Sequence, residues 1–446
     1  MVATTIAEGL IAATSGHECV ATRFDEPSTI EAYLMFERAL AEVQGALGVI
    51  PSEAAATLVA VCRLENVDRE ALREGAARVG YAIVPLVAML AHKAGAAGEW
   101  LHYGTTSQDA MDTALSLQLK AAAPDVLAPL DGVCATLARH ADTHRRTPMA
   151  GRSKLQHAAP ITFGYRCAVW LDQLLRRIER LSAALGACAT LQFGGAVGTL
   201  SALGAQGPAV RHGLARRLGL AEPAITWHVS RDRYADALYA FAAAGAALAK
   251  LAGDITFLMA SEVAELREPY SDGRGSSSTM PQKRNPVMSE AIVEAARRTR
   301  ALPAAGLEAM TQDQDRGIAT SYMERAAIVD AARLTAGAAT LAAELLTGLE
   351  VDTARMAANL DVTGGLIHAE AAMMALSAEH GRVRAHTILH TLCHEASTTG
   401  RALAEVAAAG GHPLPAAVFD TEASLGAQDA MIDAVLARVT PLAPAA

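Results

Sequence analysis

A heptad repeat of apolar residues limits the folds that are open to this chain. Two series of apolar side chains recur at intervals of seven between positions 237 and 260. They are Phe241, Leu248 and Ile255, and Ala244, Leu251 and Leu258. This spacing places both series on one stripe of a helix that packs lengthwise against other helices. The Ala and Gly residues between them allow close approach on several sides, as at the centre of a bundle or an oligomer.

The composition also favours helices. Aromatic residues make up 4% of the 446 residues, whereas Ala, Val, Ile, Leu, Met, Phe, Trp, Tyr and Cys together make up 52%. The apolar content is therefore mostly Ala, Leu and Val, which suits closely packed helices better than sheets. A second stripe with the spacing of a helix face consists of Leu171, Leu174, Ile178, Leu181 and Leu185. We predict an all-α fold.

Breaks rich in Gly, Pro and Ser divide the chain into three helical domains. We predict an N-terminal domain at 1–110, a central long-helix bundle at 111–365 that carries a loop near 270–286, and a C-terminal domain at 366–446.

Charge and cysteine content exclude several classes of partner. The net charge of −9 argues against general binding to nucleic acid or to anionic membranes. Six scattered cysteines without a C-x-x-C pair indicate reduced thiols in a cytoplasmic protein. The N-terminus lacks the pattern of a signal peptide. Lys250, Gly253 and Asp254 interrupt the most apolar stretch, so we expect no membrane span.

The loop from Gly273 to Pro286 joins a mobile Gly/Ser segment to a cationic one. Glycines allow successive N–H groups to converge on an anion, and the serines add hydroxyl groups. Lys283 and Arg284 supply positive charge, while Pro281 and Pro286 restrict the backbone around them. By composition alone such a loop would be a solvated linker. The order of its residues instead indicates a site for a small carboxylate.

The motif S-S-x-M-P-x-K-x-N-P in this loop resembles the signature of the fumarase/aspartase superfamily. The segment from Leu101 to Thr113 resembles the superfamily's H-x-G-x-T-S-x-D-x-x-D-T block, and 151–160 resembles its G-R-T-x-x-Q-x-A-x-P block. The likeness spans nearly the full chain and is greatest to the 3-carboxy-cis,cis-muconate cycloisomerase and adenylosuccinate lyase branch. It implies a homotetramer with a core of 20 helices, and composite active sites to which three subunits contribute.

The resemblance also implies roles for individual residues. Ser277 would be the base that removes a proton next to a carboxylate, within a closed loop that stabilises its oxyanion. The other catalytic residues would be Lys283, Lys154 and Glu290. The substrate-binding residues would be His102, Thr106, Ser107, Arg152, Gln156, Asn285, Arg316 and Ser321. No cofactor or metal is implied, and the substrate would be a small di- or tricarboxylate. Arg233 and Arg325 fit a structural ion pair as well as ligand contact.

Departures from the superfamily leave the reaction open. Lys154 stands where fumarase and adenylosuccinate lyase have a histidine that pairs with the Glu matched by Glu290. Bacterial muconate cycloisomerases typically carry Trp there, His in place of Gln282, and a W-H-A-E-W-like stretch at 320–324. A fixed cation at 154 suits elimination from a succinate-like substrate, such as nitrosuccinate or an N-substituted aspartate, to give fumarate. Cycloisomerisation of 3-carboxymuconate is the alternative, and a non-catalytic protein that reuses the fold is the third.

Two groups of histidines invite other interpretations. His386, His390 and His394 are spaced four apart on one helix face, but no acidic or Cys ligand completes a metal site. His140 and His144 stand beside Arg145 and Arg146, which predicts a solvated cationic face at the end of a helix.

Overall fold

The computed structural model describes residues 18–317 and 321–439. These residues are mostly helical, which confirms the all-α class. The α-helices are α1 (Glu18–Ala21), α2 (Glu26–Ala46), α3 (Ser52–Val61), α4 (Arg69–Val79), α5 (Ile83–Ala94), α6 (Ser107–Thr143), α7 (Phe163–Cys188), α8 (Gly207–Leu218), α9 (Asp232–Leu258), α10 (Val287–Ala301), α11 (Pro303–Ala309), α12 (Ser321–Thr347), α13 (Thr353–Asp361), α14 (Ala369–His380), α15 (Arg382–Thr399), α16 (Leu403–Ala409) and α17 (Gln428–Leu436). The strands form two antiparallel pairs: β1 (Pro148–Ser153) with β2 (Gln156–Thr162), and β3 (Leu266–Arg267) with β4 (Glu350–Val351).

Helix α9 contains the whole heptad repeat. Its residues Phe241, Leu248 and Ile255 are fully buried, as the spacing predicted. By length and composition alone α6, α9 and α12 could each cross a membrane. Charged groups interrupt the apolar surface of α9, where Lys250 pairs with Asp254 and Trp170 donates to the same carboxylate at 2.8 Å. The absence of a membrane partner stays a prediction.

The chain groups into two compact units that are built from non-consecutive segments. The first unit consists of Met1–Pro129, Arg177–Ala246 and Glu294–Thr340, and the second consists of Leu130–Arg176, Ala247–Val293 and Leu341–Ala446. The long helices α6, α7, α9 and α12 contribute residues to both. The sequence-based division into three consecutive domains stays a prediction.

Each unit has its own apolar core. In the first unit α2 packs against α3 and α8, and Phe36, Leu40 and Leu58 are buried between them. Close approach of α2 to α3 needs a glycine, because a Cβ atom on Gly45 would lie 2.4 Å from the Cβ of Ala55. In the second unit α14, α15 and α16 form a separate core. The hairpin of β1 and β2 packs against α13 in that unit.

The predicted cationic face at the end of α6 is wrong. His140 and His144 stack on each other with ring centroids 5.9 Å apart, and both rings meet the edge of Phe163. Burial lowers the pKa of both imidazoles, which favours their neutral forms. Arg145 pairs with Asp142 and Asp433, and Arg146 pairs with Asp429. These acidic partners, most of them from α17, could not be identified from local spacing.

Candidate active site

A cavity of about 230 Å³ in the first unit contains part of the expected site. Its wall includes Thr106, Ser107, Gln108, His228, Arg231 and Arg316. Ser107 begins α6, so the N-terminal end of a 37-residue helix opens at this wall. Backbone N–H groups at a helix N-terminus and the positive end of the helix dipole favour a bound anion.

Arg316 lies against the start of α6. Its Nη1 donates to the Thr106 hydroxyl oxygen at 3.2 Å, and its Nη2 donates to the Ala196 carbonyl at 2.8 Å. The structure therefore brings together Thr106, Ser107 and Arg316, three residues that the sequence assigned to substrate binding. Hydroxyl groups, helix N–H groups and a guanidinium together suit a carboxylate. Their contact with substrate stays a prediction.

Asp109 organises this wall, although the sequence assigned it no role. Its carboxylate is fully buried and accepts the N–H groups of Thr106 at 3.1 Å, Gly194 at 3.0 Å and Gly195 at 2.8 Å. The Nε2 atom of His228 lies 2.7 Å from the same carboxylate. Asp109 thereby joins the start of α6 to the Gly-rich turn at 192–198.

Arg231, in the wall of the cavity, is the centre of a buried ion cluster. Its guanidinium donates to both oxygens of Asp112, at 2.7 and 3.0 Å, and also to Glu324. The side chains of Arg231 and Glu324 are 3% and 1% exposed. Burial raises the pKa of Glu324 although Arg231 opposes the shift. The Arg231 face also stacks on Trp227 and Tyr234, so its charge is used to hold structure.

The other predicted arginines of the first unit have structural contacts. Arg233 lies over the Trp227 ring at 5.7 Å, and Arg325 donates to the side-chain oxygen of Gln118 at 2.7 Å. Both arginines are thereby joined to the protein's own side chains. Ser321 begins α12, but its side chain lies outside the described part of the structure.

His102 pairs with Glu37 in the first unit. Its Nδ1 lies 2.5 Å from the Glu37 carboxylate, which is fully buried. Burial is the largest single influence and lowers the pKa of His102, but the charge and hydrogen bond of Glu37 together with the charge of Asp109 raise it above its ordinary value. The imidazole is therefore held in its charged form to a higher pH than usual. His102 is not among the residues that line the cavity, so its role in substrate binding stays a prediction.

The Gly/Ser loop lies in the second unit, where the Ser277 hydroxyl oxygen accepts two backbone N–H groups. These come from Met280 at 3.1 Å and Thr279 at 3.4 Å. Donors of this kind stabilise the oxygen when it becomes negative. This is the local arrangement that a serine base needs, because a free hydroxyl is a very weak acid.

Hydrogen bonds between Gly275 and Asn285, which we call the latch, join the two ends of this loop. The Gly275 carbonyl accepts both the backbone N–H of Asn285, at 2.9 Å, and its side-chain amide, at 3.1 Å. Gly275 has φ +67°, and a Cβ atom there would lie 2.5 Å from the Asn285 carbonyl oxygen. Asn285 was assigned to substrate binding, but in this structure its amide closes the loop. A contact between its second amide hydrogen and substrate stays a prediction.

The cations of the loop divide into anchored and free ones. Arg284 pairs with Glu350 at 2.9 Å and donates to the Glu268 carbonyl at 2.6 Å, and Arg274 pairs with Glu344 at 2.7 Å. Lys283 is exposed, and it forms no ion pair within residues 18–317 and 321–439. Its charge is therefore available for an anionic ligand.

Lys154 lies at the tip of the hairpin between β1 and β2. Lys154 and Leu155 have φ values of +50° and +64°, which give a tight turn that directs both residues outward. Lys154, Gln156 and Glu290 are all exposed. Among the described residues of one chain, Lys154 and Glu290 form no ion pair with each other. The expected pair stays a prediction, and by resemblance it would need residues from two copies.

Arg152 differs from the other residues assigned to substrate binding. Its guanidinium donates to both oxygens of the buried Glu265, at 3.0 and 2.5 Å, and it stacks on Phe257. Glu265 also accepts from Asn359 at 2.7 Å. The side chain of Arg152 is 8% exposed, and this geometry gives it a structural role. In the described parts of the chain, no cluster of three or more His, Cys, Asp or Glu could hold a metal ion.

Comparisons with known proteins identify the family of this chain. A family model described as Lyase matches residues 27–300. The 3-carboxy-cis,cis-muconate cycloisomerase of Pseudomonas aeruginosa is 40% identical over 387 residues, which cover 86% of this chain and 84% of the relative. The nitrosuccinate lyase of Streptomyces davaonensis is 39% identical, and the match covers 91% of this chain and 88% of that relative.

A solved structure of a related protein has the same fold. The fumarate lyase from Mesorhizobium sp. BNC1 has a TM-score of 0.87 and 38% identity, with coverage of 95% of this chain and 98% of that one. The resemblance drawn from the loop motif is thus confirmed along most of the sequence. The chain belongs to the Lyase family and, with it, to the fumarase/aspartase superfamily of enzymes that act on small carboxylates.

Proposed function

We propose that this enzyme is a lyase that eliminates a group from a substituted succinate and releases fumarate. Ser277 removes a proton from the carbon next to a carboxylate, and that C–H electron pair becomes the new C=C bond. The bond from the neighbouring carbon to the leaving group breaks, and its electrons depart with that group. The observation that carries the proposal is the Ser277 oxygen with its two N–H donors.

The second requirement of this chemistry is a set of donors around the substrate carboxylates. A carbanion next to a carboxylate places negative charge on the carboxylate oxygens, so cations and N–H groups must already surround them. Thr106, Ser107 and Arg316 line one cavity and suit this task. Lys283 is exposed and has no carboxylate partner of its own in the described chain, so its charge can serve the same purpose.

Cycloisomerisation of 3-carboxy-cis,cis-muconate is a second candidate reaction with equal support. In that reaction a carboxylate oxygen adds to a double bond, and a proton is added to the resulting carbanion. The relative from Pseudomonas aeruginosa with this name is 40% identical. Lys154, whose charge favoured elimination, is exposed and unpaired with Glu290 in one chain. It therefore gives no preference between the two reactions.

We further propose a cytoplasmic homotetramer with composite sites. Every cysteine whose surroundings the structure describes is free, and Cys62, Cys134, Cys167 and Cys188 are buried. By resemblance to the superfamily, we expect the regions of Thr106, Lys154 and Ser277 from three subunits to meet at one site. Light scattering should give four times the chain mass of 46.3 kDa. Full activity in a stable monomer would refute the composite site.

A substrate screen distinguishes the two reactions. Purified enzyme would be mixed separately with nitrosuccinate, several N- and S-substituted succinates, and 3-carboxy-cis,cis-muconate, while fumarate and lactone are followed by absorbance. Fumarate from a succinate supports elimination, and lactone from the muconate supports cycloisomerisation. No product from any of them would favour a protein that has lost catalysis.

Substitution of the loop serines tests the base. Ser277→Ala should reduce kcat by several orders of magnitude and leave KM nearly unchanged, because the hydroxyl acts mainly in the transition state. Ser278→Ala is the matched control, and it should retain most activity. If the two results were reversed, Ser278 would be the base and Ser277 an element of the turn.

A further inference from the structure

His228 is a buried imidazole at the wall of the cavity, and the mechanism above does not use it. Its side chain is 3% exposed. Its backbone carbonyl accepts the Gln108 amide at 2.9 Å, and the preceding Trp227 N–H donates to Gln192 at 3.1 Å. These contacts fix the backbone from which the ring projects, and Asp109 holds the ring itself through Nε2, 2.7 Å away.

The partners of Asp109 determine which ring nitrogen of His228 carries hydrogen. The backbone N–H groups of Thr106, Gly194 and Gly195 all donate to this carboxylate, which acts as an acceptor. The Nε2 atom, 2.7 Å from the Asp109 oxygen, must therefore be the donor. The Nδ1 atom is left as the site at which His228 gains or loses a proton.

The Nδ1 atom is open to a ligand. It has no hydrogen-bond partner among residues 18–317 and 321–439, and it is not sealed from solvent by surrounding atoms. His228 lines the same cavity as Thr106, Ser107 and Arg316. An imidazole in a cavity wall that a carboxylate holds at one nitrogen, with no hydrogen-bond partner at the other, is the usual arrangement for proton transfer.

The other charged groups around the ring are held by partners or carry a permanent charge. Asp112 is paired with Arg231, which also binds Glu324 behind the wall. Arg316 carries a permanent charge, and the phenol of Tyr81 lies on the same wall. Asp109 is the carboxylate that orients the ring. Among the described residues of this wall, His228 carries the imidazole, the side-chain group that most often transfers protons in enzymes.

We propose that His228 is a general acid that protonates the leaving atom through Nδ1, a proposal that rests on the elimination described above. As the C–X bond breaks, its electron pair stays on X, and X takes the Nδ1 proton. His228 becomes neutral and Ser277 holds the proton taken from carbon. Return of that proton to His228 through solvent restores both groups. Asp109 is a positioning residue for this step.

This role defines the class of substrate. An amine nitrogen must be protonated before it can leave, and a thiolate, whose parent thiol has a pKa of about 8.5, leaves faster with a proton, whereas nitrite leaves readily without one. His228 therefore points to succinates that carry an N- or S-linked group. It also supplies the proton that Lys154, as a fixed cation, would not provide.

The test compares His228→Gln with His212→Gln on two substrates. In His228→Gln the new side-chain amide can still donate to Asp109, but no titrating atom remains at the position of Nδ1. His212 is an exposed histidine that also contacts a carboxylate, Glu222 at 2.8 Å, so it is the matched control. An S-linked succinate such as S-(2-succinyl)cysteine needs a proton, and nitrosuccinate does not.

We expect His228→Gln to lower kcat/KM on the S-linked substrate by about 10²- to 10⁴-fold and to remove the decline of that rate at alkaline pH. Nitrosuccinate should lose far less, and His212→Gln should resemble wild type on both. Equal losses on the two substrates would mean that His228 is only structural. If the variant does not fold, the pH dependence of kcat/KM is compared for wild type on the two substrates. A decline of kcat/KM at alkaline pH on both substrates overturns the proposal.

A binding experiment separates this proposal from the elimination itself. If wild type releases fumarate from no succinate, the elimination and with it the general-acid step are refuted. Calorimetry of succinate binding in buffers of different ionisation enthalpy then measures proton uptake on binding, and so shows whether Nδ1 contacts the ligand. Wild type should take up protons near pH 7, and His228→Gln should take up fewer. Equal uptake, or no succinate binding by wild type, would remove His228 from the ligand site.

Discussion

Replacement of Arg231 by Met should destabilise the fold strongly and in a pH-dependent way. Arg231 is 3% exposed and is the cation shared by Asp112 and Glu324, which are themselves 7% and 1% exposed. Methionine can fill much of the space beside Trp227 and Tyr234. It leaves two buried carboxylates without their partner, which costs about 3–5 kcal/mol in comparable cases.

The pH dependence follows from Glu324. Burial already raises its pKa, and loss of Arg231 removes the main opposing influence. A carboxyl group with a raised pKa binds protons more readily in the folded state, so stability falls as pH rises from the unfolded pKa through the folded one. The loss caused by Arg231→Met should therefore be greater at pH 8 than at pH 5.5, by about 1.4 kcal/mol for each unit of further shift.

Urea unfolding followed by circular dichroism measures this effect at one fixed protein concentration, since assembly also contributes to stability. Arg217→Met is the matched control, because Arg217 pairs with Glu42 at the surface and is 59% exposed. It should change stability little at either pH. A loss at Arg231 below about 1 kcal/mol, or one that is the same at both pH values, would contradict the view that this cluster is a buried charge balance.

Two further predictions concern the loop and His102. Gly275→Ala places a Cβ atom against the Asn285 carbonyl at a φ of +67°. It should open the latch and reduce kcat while the melting temperature changes little. A normal kcat would show that the latch is not needed for turnover. Glu37→Gln removes the charge that raises the pKa of His102 against the effect of burial. A histidine whose folded pKa is raised stabilises the fold fully below its unfolded pKa of about 6.5, and this stabilisation is lost as the pH rises through the folded pKa. The loss of melting temperature in Glu37→Gln should therefore be larger at pH 6 than at pH 9. The exposed His212 pair provides Glu222→Gln as the control, and an equal deficit at both pH values would contradict the charged state of His102.

The sequence predicted the features that depend on local order. Helical spacing alone identified the buried face of α9. The superfamily motifs identified Thr106, Ser107 and Arg316, which line one cavity although Arg316 is 210 residues from Thr106. The spacing of residues could not have assigned these three to one site; the superfamily resemblance did so.

The sequence could not predict which charges are neutralised within the fold. Arg152 matched a binding motif, but its partner Glu265 is 113 residues away. His228 received no role because Asp109, which orients it, is 119 residues away. The adjacent Trp227 and His228, the second of which stands three residues before Arg231, were the available signal, but they indicate a role only once the fold brings α6 beside them. In both cases the deciding contact is a buried one between distant segments.

We expect the division between satisfied and unsatisfied charges to distinguish structural residues from the predicted catalytic ones. Arg152 and Arg231 are buried and donate to buried carboxylates, so a substrate anion would have to displace a strong ion pair to reach them. Lys154 and Lys283 are exposed and form no ion pair within the described chain. Exposed cations gain little by pairing at the surface, but they gain much when a ligand and a second subunit exclude water around them. Substitution of the first pair should therefore change stability before activity, whereas substitution of the second pair should change activity alone.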